Sequence, residues 1–352
     1  MAPPARSGRS SARFARARRT VTALAALVVL VALAVAGTPG GASEDPATVP
    51  EAAPAAEPSP TPSPTPSPTP SPTPSPTPAA SAASDALAAP AASTPAPKPR
   101  PVVPYMAVQT AAQRITAGAD GFASFTLLDR RNGRRIGDPR STRPMFSEST
   151  IKAWLAAHLL ATRAAAGAQL TPYETARMTA MIRLSDDNAA EVIWRWVGGD
   201  DSIEDMIEIC RLQDTTVYPG WWSKTEISAR DLARLGDCIV PGKNKFLSPT
   251  VGAPLLALMR SVDPTNAFGI QQANPAGPGV RIAVKNGWTE HGGAEGTVWN
   301  VNCLGIWGTD NRWVLAVTTR FPATNGLDYG AGLCRQITRA VLPLTHPVRP
   351  SN

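Results

Sequence analysis

The chain is poor in the side chains on which many hydrolases and metalloproteins depend. It has only three histidines, at 158, 291 and 346, and four cysteines, none of which has the spacing of a metal site. The pattern G-x-S-x-G is missing, which argues against a hydrolase with a Ser-His-Asp triad. No glycine-rich nucleotide fingerprint follows a predicted strand. We therefore expect neither a metal nor a cofactor.

The basic character of the chain comes from its first residues. The whole sequence carries 34 Lys and Arg against 27 Asp and Glu, a net charge of +7. Six of the arginines lie within residues 1–37, where there is no acidic residue, so 28 basic residues face 27 acidic ones elsewhere. The remainder is nearly neutral, and we expect no nucleic-acid partner.

Residues 1–37 are organised like an export signal. The arginines precede a largely apolar stretch, 21–36, whose last residues, Ala-Val-Ala at 34–36, fit a signal-peptide cleavage site. An uncleaved membrane anchor is the alternative, because the apolar stretch is long for a signal core. Both interpretations predict an exported protein that is extracellular or associated with the cell wall or membrane.

A low-complexity region and a long folded region follow. Within residues 38–104, every second residue from 58 to 78 is proline, and such a stretch cannot form a packed core. At ~3.1 Å per residue, a polyproline II segment of this length would span about 65 Å. We expect a disordered spacer that holds a domain away from a membrane or through a cell wall. Residues 105–346 are long enough for a large core, and 347–352 form a short tail.

The first motif that carries chemistry is Ser-Thr-Ile-Lys at residues 149–152. The residues that follow are good helix formers, and Ser147 or Ser149 would cap the helix. Three residues apart on a helix, Ser149 and Lys152 share one face, so Lys152 can take the Ser149 proton if its pKa is lowered. An ordinary helix start is the alternative. The chain has only six lysines, and this is its sole S-x-x-K pattern.

The second motif is Ser-Asp-Asp at residues 185–187. A second hydroxyl, that of Ser185, can relay a proton to a departing nitrogen. The alternative is a helix cap, because Ala-Ala-Glu-Val-Ile-Trp follows closely. One segment can perform both tasks.

The third motif is Lys-Asn-Gly-Trp at residues 285–288, after an alternating run that predicts a strand. Lys285 would bind a carboxylate, Gly287 would let the substrate backbone approach, and the N–H of Trp288 would donate to an oxyanion. The alternative is a strand that ends in an Asn-Gly turn. His291 follows closely enough to be a candidate for the same cleft.

In this order the motifs resemble S-x-x-K, S-D-N and K-T-G of class A β-lactamases and penicillin-binding proteins. Similar segments include a first hairpin at 122–137, a helix after 225, two last strands at 298–308 and 312–321, and a C-terminal helix at 326–342. The resemblance implies an α+β fold, an antiparallel five-stranded sheet flanked by helices, with an all-helical lobe. The helical middle of the region agrees with this fold.

The resemblance also implies which residues act. It makes Ser149 the nucleophile, Lys152 the general base and Ser185 the proton relay, with Lys285 assisting. It implies substrate contacts at four positions: Asp187, Asn286, Gly287 and Trp288. For the cysteines, which allow three connectivities, it favours Cys210–Cys238 and Cys303–Cys334.

Three departures from the family pattern bear on function. Asp187 stands where the family has Asn, unless Asn188 fills that place, and its charge would raise the pKa of Lys152. Asn286 replaces a Thr or Ser. Residues 215–224, which match the Ω-loop, contain no Asp or Glu, so we expect slow release of an acyl group.

The sequence therefore predicts an exported serine hydrolase that a β-lactam or a D-Ala-D-Ala-like amide of the cell wall acylates at Ser149. One alternative is a D,D-peptidase or slow penicillin binder, which the acid-free loop favours. The other is a non-catalytic wall-binding or sensing domain on a spacer, which Asp187 and Asn286 favour.

Overall fold

The computed structural model describes residues 105–243, 246–293 and 296–345. The predicted signal or anchor at 1–37, the spacer at 38–104 and the tail at 347–352 lie outside these residues. Within the described ranges, no helix combines the length and the apolar character needed to cross a bilayer.

Fifteen helices and strands make up the fold within this part of the chain. The helices are α1 (Tyr105–Ala117), α2 (Lys152–Ala165), α3 (Pro172–Thr179), α4 (Asp187–Trp196), α5 (Asp200–Ile209), α6 (Ala229–Cys238), α7 (Pro249–Arg260) and α8 (Gly326–Thr345). The strands are β1 (Phe122–Asp129), β2 (Arg134–Gly137), β3 (Pro144–Phe146), β4 (Glu226–Ser228), β5 (Ala283–His291), β6 (Val298–Trp307) and β7 (Trp313–Pro322). The predicted first hairpin, last two strands and C-terminal helix are confirmed.

Five of the strands form one antiparallel sheet in the order β2-β1-β7-β6-β5, and β3 pairs with β4 separately. This arrangement confirms the predicted α+β fold with a five-stranded antiparallel sheet. Strand β1 is buried along its whole length, which is typical of a strand covered on both faces. Strand β5 lies at an edge, so one row of its backbone N–H and C=O groups has no strand partner.

Helices cover both faces of the sheet at sites where a glycine lets them come close. A Cβ on Gly236 of α6 would lie 2.6 Å from Val314 and 2.9 Å from Leu304. A Cβ on Gly330 of α8 would lie 2.6 Å from Val301 and 2.8 Å from Phe321. Side chains alternate along a strand, so these two pairs of contacts belong to opposite faces. The sheet is therefore the middle layer.

Helix α2 is the central element of the helical part. Its residues from Lys152 to Ala157 are all buried, so the helix is enclosed around its circumference for more than a turn. Trp154, fully buried, donates its Nε1–H to the carbonyl oxygen of Ser202 in α5 at 2.8 Å. This packing fixes the N-terminus of α2, where the first motif lies, against the sheet edge.

The structure decides between the alternatives for two motifs. The Asn-Gly turn is wrong, because β5 continues through Asn286 and Gly287, which pair with Cys303 and Asn302 of β6. At the second motif a cap is present: Asp186 accepts from the backbone N–H of Ala189 at 2.6 Å and begins α4.

Both disulfide pairings are confirmed. Cys210 at the end of α5 is bonded to Cys238 at the end of α6, and Cys303 of β6 is bonded to Cys334 of α8. The sequence separations are 28 and 31 residues. Each bond joins two elements that are distant along the chain, which restricts the unfolded chain.

Loss of the first disulfide is expected to destabilise the protein measurably. For a loop of this length, chain entropy predicts that a Cys210→Ala/Cys238→Ala variant loses about 3.5 kcal/mol of unfolding free energy. Urea denaturation measures the loss. The Cys303→Ala/Cys334→Ala variant is the matched control and should lose a similar amount, because its loop has nearly the same length. A loss of a few tenths of a kcal/mol in both would contradict the entropic account.

Candidate active site

Ser149 lies in a 3₁₀ turn, Glu148–Ile151, that leads directly into α2. Thr150 closes the turn, since its Oγ1 and its N–H donate to the carbonyl oxygen of Ser147 at 2.6 and 3.2 Å. Ser147 occupies the cap position but makes no side-chain capping bond; its hydroxyl donates instead to the carbonyl oxygen of Ser223 at 3.2 Å. Ser149 is half-buried and lines a cavity of about 390 Å³. This volume suits a small substrate.

Lys152, the first residue of α2, is fully buried. Its ammonium group donates to Asp187 Oδ1 at 2.5 Å and to the carbonyl oxygen of Ser185 at 2.6 Å, and it lies 3.4 Å from Ser185 Oγ. Burial lowers the pKa of Lys152, while the hydrogen bond and the charge of Asp187 act in the opposite direction. Burial prevails because the side chain of Asp187 is 79% exposed, so water screens its charge.

The contact between Asp187 and Lys152 settles which residue takes the third place of the second motif. Asp187 occupies it, and Asn188 lies beside it in the cavity wall. Asp187 raises the pKa of Lys152, as the sequence predicts, but burial outweighs this contribution and the net shift is downward.

Lys285 of β5 is 1% exposed and contacts Ser185, the serine that Lys152 also contacts. Its Nζ donates to Ser185 Oγ and to the carbonyl oxygen of Asn286, both at 2.9 Å. The pKa of Lys285 lies well below its ordinary value, first because of burial and second because of the nearby charge of Lys152. The Ser185 hydroxyl thus lies between two buried amines, a suitable arrangement for passing a proton.

Ser185 is held in this position by an unusual backbone. It has φ = +58°, in the left-handed region that non-glycine residues rarely adopt, at the end of a π-helical turn, Ala180–Leu184. The N–H of Asp186 donates to the carbonyl oxygen of Ala180 at 3.3 Å. This backbone distortion lies between two helices, at the position from which Ser185 contacts both lysines.

Gly287 brings β5 into direct contact with the nucleophile turn. A Cβ at this position would lie 2.6 Å from the backbone nitrogen of Ser149 and 2.7 Å from that of Thr150. Trp288, the next residue, lines the cavity together with Ser149. The free edge of β5 and the start of α2 therefore meet where an oxyanion would need two N–H donors.

Asn286 has a structural task that the sequence did not reveal. It is 1% exposed, and its amide nitrogen donates to the carbonyl oxygens of Asn266 at 2.9 Å and Phe268 at 3.0 Å. It ties β5 to the segment that follows α7.

The carboxylate residues in the cavity wall are Glu148, beside Ser149, and two residues of α4, and none belongs to the Ω-like loop. Asp187 and Glu191 both line the cavity, together with Trp221 and Trp222 of the loop. Glu191 accepts from Trp222 Nε1 at 3.1 Å and pairs with Arg195 at 2.7 Å. Sequence analysis missed Glu191, although its position four residues after Asp187 on a helix places both on one face.

Curated proteins share part of this sequence. The chain is 28% identical over 207 residues to the putative lipoprotein LppW of Mycobacterium tuberculosis and of Mycobacterium bovis. The aligned part is 57% of this chain and 63% of each relative, so the chain spans less than two thirds of their length.

Solved structures share the fold. A class A β-lactamase from Mycobacterium abscessus superposes with a TM-score of 0.54 at 16% identity, covering 67% of this chain and 98% of that one. PBP-A gives 0.55 at 22% identity, covering 70% and 99%. A PBP-A variant in an acyl-enzyme complex with penicillin G gives 0.55 at 20% identity, covering 70% and 98%.

A family model places the chain more directly. Residues 166–343, half of the sequence, match the model of the beta-lactamase enzyme family. The matched range contains the second and third motifs and begins after the first. Together with the shared fold, this match shows that the chain belongs to the beta-lactamase enzyme family.

Proposed function

We propose that this protein is an exported serine hydrolase that is acylated at Ser149 by β-lactams or D-Ala-D-Ala-like amides. The observation that carries the proposal is the meeting of Lys152 and Lys285 on the hydroxyl of Ser185, beside a cavity lined by Ser149. Three segments distant in sequence supply these groups, and a purely structural role does not require two buried amines at one hydroxyl.

The chemistry follows from the positions of the groups. Neutral Lys152 takes the proton of Ser149 as its oxygen attacks the substrate carbonyl. The N–H groups of Ser149 and Trp288 stabilise the negative oxygen that forms. Ser185 then passes a proton to the departing nitrogen, and Lys285 holds the Ser185 oxygen through its hydrogen bond and tunes the proton transfer.

Release of the acyl group is expected to be slow, which favours a D,D-peptidase or penicillin-binding role over rapid β-lactam destruction. No carboxylate lies in residues 215–224, where class A enzymes carry the group that activates water. Glu191, in the wall, is engaged by Trp222 and Arg195. The acylation of a PBP-A variant by penicillin G supports the same type of chemistry on this fold.

Export is part of the proposal. Two disulfides are typical of proteins that fold in an oxidising compartment. The curated relatives are named putative lipoproteins, which supports a location at the cell surface.

The direct test is intact-mass spectrometry of the purified protein after incubation with penicillin G. We expect a stable mass increase equal to one drug molecule, located on Ser149 by peptide mapping and absent from Ser149→Ala. Ser141→Ala is the matched control and should keep the adduct. Drug destruction without an adduct would indicate a β-lactamase with efficient release. If neither an adduct nor loss of the drug is observed, the proposal is contradicted and a non-catalytic wall-binding or sensing domain is favoured.

Neutralising Asp187 is expected to shift the acylation profile toward acid. Asp187→Asn keeps an acceptor for Lys152 but removes the charge that favours its protonated form, so the pKa of Lys152 falls further. A larger fraction of Lys152 is then neutral at low pH, so the acid limb of the curve of acylation rate against pH moves to lower pH. Stopped-flow acylation by a fluorescent penicillin measures it. Glu191→Gln, which also removes a carboxylate from the cavity wall, is the control and should shift the acid limb less. A shift of the acid limb to higher pH in Asp187→Asn would refute the assignment.

Adding one methyl group at Gly287 is expected to disable the site. The new Cβ would lie 2.6 Å from the Ser149 nitrogen, so the turn or the strand must move. Loss of one oxyanion donor typically costs about 100-fold or more in rate, and we expect a similar fall in acylation for Gly287→Ala. Gly292→Ala is the control, because a Cβ there has no neighbour within 4 Å. Equal acylation by both variants would show that Gly287 does not set the oxyanion hole.

A further inference from the structure

Glu148, the residue directly before the nucleophile, has a combination of features that the proposed mechanism leaves unexplained. It is 1% exposed and has φ = +50°, in the left-handed region. A buried carboxylate and a left-handed non-glycine backbone are both disfavoured, and they persist only where the surroundings hold them. The contacts of the Glu148 side chain therefore outweigh the preference for an apolar residue or a glycine at this position.

The side chain of Glu148 is fastened to the two strands at the sheet edge. Its Oε1 lies 2.6 Å from Nε2 of His291, the last residue of β5, and accepts from Nδ2 of Asn300 in β6 at 3.2 Å. The imidazole of His291 also packs against Phe146, with ring centroids 5.3 Å apart. These contacts join the turn that carries Ser149 to the strand that carries Trp288.

A second bond from β6 supports the same segment. Asn302 donates its amide N–H to the carbonyl oxygen of Phe146 at 2.7 Å. Two asparagines of one strand thus hold the backbone and the side chain immediately before Ser149. Gly287, which approaches the Ser149 nitrogen, pairs with Asn302 in the sheet.

We propose that Glu148 and His291 are positioning residues that set the separation of the two oxyanion donors, the N–H groups of Ser149 and Trp288. The inference rests on the proposed function. One donor follows Glu148 by one residue, and the other precedes His291 by three residues, so the Glu148–His291 bond links the two backbones across the cleft. A change in the separation of these two N–H groups impairs the reaction more than the initial binding of substrate, because the oxyanion exists only in the transition state.

Three substitutions separate this role from a merely structural one. Glu148→Gly removes the bond and also relieves the left-handed strain, so the protein should not lose thermal stability through the backbone. Glu148→Gln keeps an oxygen that can accept from His291 and Asn300. His291→Phe keeps a ring against Phe146 and removes the donor. Glu290→Ala, at the exposed neighbour of His291, is the matched control.

The experiment measures the acylation rate constant and the dissociation constant of the initial penicillin complex separately. We expect Glu148→Gly and His291→Phe to reduce the rate constant by about 10- to 100-fold with little change in the dissociation constant. Glu148→Gln should recover most of the rate, and Glu290→Ala should match the wild type. The proposal would be overturned by equal rate constants in all variants, or by a rise in the dissociation constant as large as the fall in the rate constant. A rate constant for Glu148→Gln as low as that for Glu148→Gly would also overturn it.

Hydrogen–deuterium exchange on the same full-length proteins tests the link without any reaction. The amides of Ser149 and Thr150 should exchange faster in Glu148→Gly and His291→Phe than in the wild type or Glu148→Gln. Unchanged exchange would overturn the proposal even if the wild type is not acylated. A wild type without acylation but with the expected exchange pattern would contradict the proposed function alone.

Discussion

The proposed active site depends on the burial of two lysines around one hydroxyl group. Lys152 and Lys285 both contact Ser185, and of these two lysines only Lys152 pairs with a carboxylate among the described residues. Two ammonium charges in such a desolvated space repel each other, so their protonation is coupled and a neutral amine is favoured. A neutral amine is what the proposed attack of Ser149 requires.

Much of the surrounding structure holds this arrangement together. Helix α2 is enclosed by its neighbours, which keeps Lys152 away from water. The left-handed backbone of Ser185 and the bare backbone of Gly287 allow three segments to meet closely, at a cost in local conformational energy. Glu148 adds another such cost beside the nucleophile. The site is therefore a concentration of locally unfavourable features that the large core stabilises.

The sequence predicted those parts of the site whose signals are local or depend on a pattern in fixed order. The spacing of Ser149 and Lys152, a helix cap within residues 185–187 and the strand before Lys285 are of this kind. The Asn-Gly turn was a reasonable alternative, but pairing with β6 on both sides of that dipeptide overrides the turn preference. The pairings of the cysteines followed from resemblance and could not have followed from spacing.

Other features could not be predicted because their partners are distant along the chain. The partners of Glu148 lie 143 and 152 residues later, so nothing near it distinguishes it from a surface glutamate. Asn286 departs from the family pattern in a way that is explained only by the two carbonyl oxygens its amide nitrogen reaches. The net pKa direction of Lys152 required knowing that Asp187 is exposed while the lysine is buried.

The most direct test of this account is an NMR titration of the purified protein with isotopically labelled lysine side chains. The chain has only six lysines, so each signal can be assigned with one substitution per residue. The account predicts that Lys152 titrates below the ordinary lysine range and that Lys285 titrates well below it. Titration of both lysines in the ordinary range would contradict the claim that burial supplies a neutral amine at Ser185.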